Sequence, residues 1–306
     1  MIVFIGINTD KTIKHTLVQS LRLGVEFTYI DLFDFMDRGA AFFGSSGEFR
    51  ICVDDININL ADDSVSGIYT RLICPKFVNL NKDEGNYARQ KFAILNRGLL
   101  LLQHDRIVNP PLHDFSNSNR AIHLKILAEC GFTFPETLIS SNPSDVQEFL
   151  TLNKDRGVIY KSNSGIKTIT RRVSIDELER INLVEHCPVV FQEQIFGDDV
   201  RIHMLNGVAY GLRIQSPDVD YRFSKRTTKQ VLSYIPDDIR HAMVSYSARS
   251  HLKFIGFDFK VEHSSGRWIC LEANPMPGYE SYDRFHNGAI STHLIKILEN
   301  EGNDEG

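Results

Sequence analysis

The sequence predicts an α+β protein in which a parallel α/β unit comes first and largely antiparallel strands around a cleft follow. Three observations predict it: a β-α-β opening, two amphipathic helices between residues 119 and 152, and a run of strand candidates from 157 onward. Ile2 to Ile7 is a short apolar run, Asn8-Thr9-Asp10 a turn or cap, and Ile13, Leu17, Val18 and Leu21 recur at helical spacing before a second strand at Glu26 to Ile30. An unbroken apolar first strand suits a parallel sheet covered on both faces. Residues 35 to 66, with Gly39, Gly44 and Gly47 around Phe49 to Val53 and Ile56 to Leu60, read as hairpin-like or irregular. Residues 84 to 103 read as a helix whose aliphatic stripe over 93 to 102 fits core packing or a homodimer contact, and Asn109-Pro110-Pro111 stops it. The helix 119 to 130 ends on Gly131, and Asn142-Pro143-Ser144 starts another. Strands follow at Val158 to Tyr160, Val189 to Glu193, Val200 to Met204, Val208 to Ile214, Phe254 to Val261 and Trp268 to Ala273. Helices are expected at Ile175 to Leu183, Asp238 to Leu252 and Ala289 to Leu298.

Composition removes several function classes. With 34 Lys and Arg against 39 Asp and Glu, the net charge is -5, which gives no general attraction to nucleic acid or anionic lipid. Five scattered cysteines, an odd number, argue against a disulfide framework and for a reducing cytoplasm. The amino terminus lacks the pattern of a signal peptide, and no window approaches the roughly 18 apolar residues of a membrane span. There is no GxGxxG for a dinucleotide, no HExxH for zinc and no GxSxG for a hydrolase.

The chemistry concentrates in four places. In FIGFDFKV and WICLEANP, Asp258 sits on one strand while Glu272 and Asn274, two residues apart, point the same way on the next. Three hard oxygen donors at the mouth of one sheet suit Mg²⁺, against the plainer reading of solvent-facing or Arg-paired acids. Lys161 ends a strand before the flexible Ser162-Asn163-Ser164-Gly165 turn and could meet a phosphate, though the pattern is not a P-loop. Gln192, Glu193, Gln194 and Ile195 could edge a slot for a planar base. Arg201 and Arg213 flank the Leu205-Asn206-Gly207 turn, and hairpin pairing could place both over one anion, with surface salt bridging as the alternative. The loop SPDVDYRFSKR fits peptide recognition or plain solvation equally well.

Lys161, the Gln192 to Ile195 connector, Asp199-Val200-Arg201, Arg213, Asp258 and Glu272-Ala273-Asn274-Pro275 occur in an order that resembles an ATP-grasp ligase of the RimK-like type. The resemblance implies the α+β ATP-grasp fold: a pre-ATP-grasp α/β domain over 1–114, a central subdomain over 115–190 and a C-terminal subdomain over 191–306. It implies ATP as substrate, two Mg²⁺ ions on Asp258, Glu272 and Asn274, nucleotide contacts from Arg120, Lys161, Gln192 to Ile195 and Asp199, and phosphate contacts from Arg201 and Arg213. The family activates a carboxylate as an acyl phosphate, which an amine or hydroxyl then displaces. NRAIHLKILAECGFTFPETLISSNPSDVQEFL and Asp220-Tyr221-Arg222 resemble the microviridin or graspetide maturases, which crosslink side chains of ribosomal precursor peptides guided by a leader segment. Asp220 and Arg222 are therefore candidates for peptide contact, with Gly278 and Tyr279 bending around the acceptor. Two features depart from the pattern: Arg120 stands where many relatives carry Lys, and NPMPGYESYDR also resembles ligases for free amino acids or small carboxylates. A phosphotransferase and a silent nucleotide or peptide binder are the readings outside the class.

Overall fold

The computed structural model describes residues 1–73, 82–102, 106–111, 119–163, 170–218 and 221–299. The expected boundary near 114, the Ser164-Gly165 end of the turn after Lys161, and Asp220 lie outside the described residues.

The first unit forms as its apolar periodicity dictates. Strand β1 (Ile2–Gly6) is wholly buried, and helix α1 (Lys11–Leu23) follows. Asp10 caps α1 by accepting from Thr12 N at 2.7 Å, and Gly24, at φ +71°, ends it. Then come β2 (Phe27–Asp31), α2 (Leu32–Arg38), β3 (Ala40–Phe43), β4 (Phe49–Val53), β5 (Ile56–Asn59) and β6 (Gly67–Thr70). The helix α3 (Lys82–Leu99) and β7 (Ile107–Val108) complete the unit. Strands β2-β1-β6-β7 make a parallel sheet, while β3-β4-β5 form a separate antiparallel layer over residues expected to be hairpin-like. Leu95, Leu99 and Leu102 from the aliphatic stripe enter this core, although Leu101 remains exposed.

Next come α4 (Arg120–Glu129), β8 (Thr137–Ser140), α5 (Pro143–Leu152), β9 (Val158–Ser162), β10 (Arg171–Arg172), α6 (Ile175–Leu178) and β11 (Val189–Glu193). The helix expected over 175 to 183 is thus one short α turn and a 3₁₀ segment, Ile181–His186. Strands β10-β9-β11-β8 form one antiparallel sheet with its own core around Val146, Val158 and Phe191. Helix α4 and the residues just after it pack elsewhere: Leu127, then Cys130 and Phe132, share a core with Met243, Tyr246 and Phe257 of the last unit.

That last unit contains β12 (Gly197–Leu205), β13 (Val208–Gln215), β14 (Thr228–Val231), α7 (Asp237–Ser250), β15 (Phe254–Glu262), β16 (Trp268–Asn274), α8 (Glu280–Asp283) and α9 (Ala289–Leu298). Its sheet order is β14-β13-β12-β15-β16. The β12–β13 turn places Asn206 at φ 47° and Gly207 at φ 84°, the double positive-φ geometry of a two-residue hairpin. Helix α9 returns to the first unit, where Ile290, Leu294 and Leu298 pack with Ile2, Phe4 and Ile13. A Cβ at Gly67 would run into the Leu298 backbone, so this approach requires glycine. One shared core therefore ties the parallel sheet to the strands that carry the site.

Candidate active site

The site follows from strand register. In β12, β15 and β16 the residues directly opposite one another share a face, and the pairs are Arg201 with Asp258, Asp258 with Glu272, and Gly256 with Asn274. Asp258, Glu272 and Asn274 therefore project from one face, as the two-residue periodicity predicts. Between Asp258 and Phe259 the register skips Leu271, which lines the cleft. Among the described residues no three His, Cys, Asp or Glu side chains converge, so the donor set is two carboxylates and an amide. Asn274 is 6% exposed, and its Oδ1 accepts from Met276 N at 2.9 Å, which fixes the amide while leaving a second lone pair. Such hard, incomplete donor sets suit Mg²⁺, which keeps waters and takes phosphate oxygens.

Arg201 is 7% exposed and donates to Asp258 Oδ2 at 2.6 Å. Burial alone would lower its pKa, but Asp258, with Tyr221 and Tyr282, more than offsets this and holds the guanidinium charged. Gly256 makes room for it: a Cβ there would strike the guanidinium and come within 2.7 Å of Pro277 Cβ. Behind Arg201, His203 Nε2 lies 3.4 Å from Arg201 Nε and 3.2 Å from the Gly278 carbonyl, serving one or the other according to tautomer.

Opposite this face, β9 and β11 form the other wall. The cleft between them encloses about 280 Å³ and is lined by Lys161, Gln192 to Ile195, Asp199, Tyr221, Arg222, Asp258, Lys260 and Glu272, with Ile159, Phe259 and Leu271 among its apolar surfaces. Burial, then Arg120, pushes the Lys161 pKa down to about 8, while Glu272 opposes the shift. The same two causes push His123 down to about 4, leaving it neutral. His123, one helical turn beyond Arg120 on α4, accepts from Ala273 N at 3.2 Å. It thus ties α4 to the peptide between Glu272 and Asn274. Gln192 donates to Thr137 Oγ1 at 2.9 Å, and the Glu193 carboxylate accepts from Glu136 N at 3.0 Å and pairs with Arg156. These bonds make Gln192 and Glu193 braces of the wall as well as its surface. Asp199 pairs with Lys260 at 2.9 Å.

Three expectations are corrected. Arg213 faces Val200, one register position from Arg201, so the two guanidinium groups occupy opposite faces and cannot share an anion; Arg213 lies 3.9 Å from Asp198. Tyr279 is fully buried: its ring packs on Phe254 and His15, and its hydroxyl lies 2.6 Å from Thr16 Oγ1, so it joins the first unit to the last and does not touch an acceptor. Gly278 is absent from the cleft lining, and its carbonyl faces His203. Sequence reading also passed over Lys260, His123 and Tyr282. Lys260 was accessible by the alternation that paired Glu272 with Asn274, because it follows Asp258 by two residues. His123 and Tyr282 depend on long-range contacts and carried no local signal.

No family model and no curated protein matches the chain. Solved structures do. The macrocyclase MdnC bound with precursor peptide MdnA from Microcystis aeruginosa MRC is similar over 99% of this chain and 100% of its own, at TM-score 0.84 and 18% identity. A Chryseobacterium gregarium RiPP-associated ATP-grasp ligase in complex with ADP and a leader and core peptide is similar over 98% of this chain and 97% of its own, at TM-score 0.80 and 18% identity. The ATP-grasp ligase PsnB complexed with minimal precursor, Mg and ADP is similar over 97% and 98%, at TM-score 0.78 and 22% identity. The architecture is the ATP-grasp fold, here in the form shared with ligases solved on precursor peptides. No helix of the described residues is long and apolar enough to cross a membrane.

Proposed function

We propose that the chain is an ATP- and Mg²⁺-dependent carboxylate ligase that crosslinks side chains of a polypeptide substrate. The observation that carries this reading is the alignment of Asp258, Glu272 and Asn274 on one sheet face, with Asp258 and Glu272 lining the cleft to which Lys161 also contributes. Ile159, Ile195, Phe259 and Leu271 give an apolar slot for the adenine, edged by Gln192, Glu193 and Gln194. Lys161 and Arg120 receive the phosphates, with Asp199 and Lys260 alongside. Mg²⁺ held by Asp258, Glu272 and Asn274 would neutralise charge on the phosphates. Arg201 orients Asp258 and adds a fixed positive charge behind the site of transfer. The substrate carboxylate attacks the γ-phosphate, ADP leaves, and an amine or hydroxyl displaces phosphate from the acyl phosphate. No side-chain nucleophile is needed. Arg222, exposed and lining the cleft, is the residue we assign to peptide contact, and Asp220 is assigned with it from the sequence pattern. The division into 1–114, 115–190 and 191–306 is retained as the domain reading, with α4 packing on the last sheet. Polypeptides as substrates are supported by the likeness to MdnC and PsnB; the likeness to VanG D-Ala:D-Ser ligase from Enterococcus faecalis is weaker, at TM-score 0.59.

The test is intact-mass analysis of short polypeptides encoded near the gene after incubation with the protein, ATP and Mg²⁺. Loss of one or more water masses that requires ATP is expected. ADP formation with free amino acids and no dehydrated peptide would transfer the reading to a small-molecule ligase.

Nucleotide affinity should also depend on pH. Lys161 carries its charge fully only below its depressed pKa, so affinity for Mg-AMPPNP holds below pH 8 and declines as pH rises through about 8. Lys161→Arg should flatten that decline in a calorimetric titration series. A wild-type affinity constant across the same range would remove Lys161 from the phosphate site.

A further inference from the structure

Two largely buried cations of the last sheet have carboxylate partners: Arg201 has Asp258, and Lys260 has Asp199. Two others in the same unit do not. Among the described residues no carboxylate forms an ion pair with Lys229 of β14 or with Arg284, which follows α8. Both lie against aromatic rings. Lys229 Nζ is 5.3 Å from the Tyr282 ring centroid and 5.9 Å from that of Phe285, and the Arg284 guanidinium is 4.9 Å from the Phe285 centroid.

The neighbouring acids are turned away. Asp283 accepts from Ile290 N, Ser291 N and Ser291 Oγ and meets His15, while Glu280 accepts from Thr12 of α1. Burial, then the repulsion of Arg284, lowers the Lys229 pKa. The corner is continuous with the site: Tyr282 OH lies 2.9 Å from the hydroxyl of Tyr221, a cleft residue, and the Arg201 guanidinium is 5.9 Å from the Tyr282 ring.

We propose that Lys229, Arg284 and the Tyr282 and Phe285 rings form a carboxylate-binding subsite that takes an acidic side chain of a polypeptide substrate. The inference rests on the polypeptide-ligase reading and adds a recognition element to it. The ring faces give apolar walls for the methylene stem of Glu or Asp, and the two cations receive its charge. Among the described residues strand β14 is an edge strand paired with β13 alone, so its outer side offers main-chain donors and acceptors to an extended polypeptide. Free phosphate would use neither the rings nor the edge.

The test compares a fluorescein-labelled short peptide alternating Glu and Thr with its Gln-for-Glu counterpart, by anisotropy at near-physiological salt. Wild type should prefer the Glu peptide by about tenfold. Lys229→Gln/Arg284→Gln, which keeps polar stems against the rings, should lose that preference while binding Mg-AMPPNP as wild type does. Lys154→Gln/Arg240→Gln, exposed elsewhere, should keep it. Equal affinity of wild type for the two peptides, or a preference that survives in Lys229→Gln/Arg284→Gln, overturns the subsite. Displacement of the Glu peptide by inorganic phosphate at matched concentration assigns the corner to phosphate and also overturns it. Failure of wild type to bind Mg-AMPPNP strikes the ligase reading instead, and the peptide preference still reports on the subsite.

Discussion

Glu272→Gln should abolish metal-dependent ADP formation, by about 10²–10³-fold or more, and leave the fold standing. Glu272 is half-buried at the open end of β16, and Gln preserves its shape while removing the charge a divalent ion needs. Asp258→Asn should cost as much in turnover, with a further loss of stability. Arg201 is 7% exposed and pairs with Asp258, so the neutral amide leaves a buried guanidinium without its counter-charge. The two variants therefore separate in a urea melt although they coincide in the assay. Wild-type turnover in both would dismiss the metal site.

The second large effect is at Arg201. Arg201→Met should destabilise the chain by about 3 kcal/mol, the low end for a broken buried pair, because the Asp258 side chain is still 25% exposed. Adding Asp258→Asn should recover part of that loss, since the charges then disappear together, whereas turnover should stay absent in the double variant. Urea denaturation of the two single variants and the double variant measures the coupling. Additive losses would show that the 2.6 Å contact contributes no pairwise energy.

These expectations rest on features of unequal legibility. Glu272 and Asn274 could be placed together because strand alternation is local, and Asp258 joined them because consecutive β15 and β16 pair directly. The same rule carried further would have supplied Lys260. It would also have separated Arg201 from Arg213: the two-residue turn pairs Leu205 with Val208, and counting back puts Arg201 opposite Leu212. Tyr279 was different in kind. Nothing local says that the chain after Asn274 turns towards α1, where Thr12, His15 and Thr16 receive Glu280, Asp283 and Tyr279. Likewise the amphipathic pattern of α4 predicted a helix without naming its partner; Leu127 and His123 are its buried residues, and Leu127 packs against the last sheet. Local periodicity thus revealed the metal face, while the packing of distant segments decided what surrounds it.

The central claim is that a substrate carboxylate is activated by phosphorylation in this cleft. It is tested most directly by labelling with heavy oxygen the free carboxylates of a polypeptide that the protein dehydrates, then following the label into the released phosphate by phosphorus NMR. An acyl phosphate requires one carboxylate oxygen to leave with phosphate, so one labelled oxygen per phosphate is expected for every bond formed. Unlabelled phosphate accompanying the same product would contradict the account.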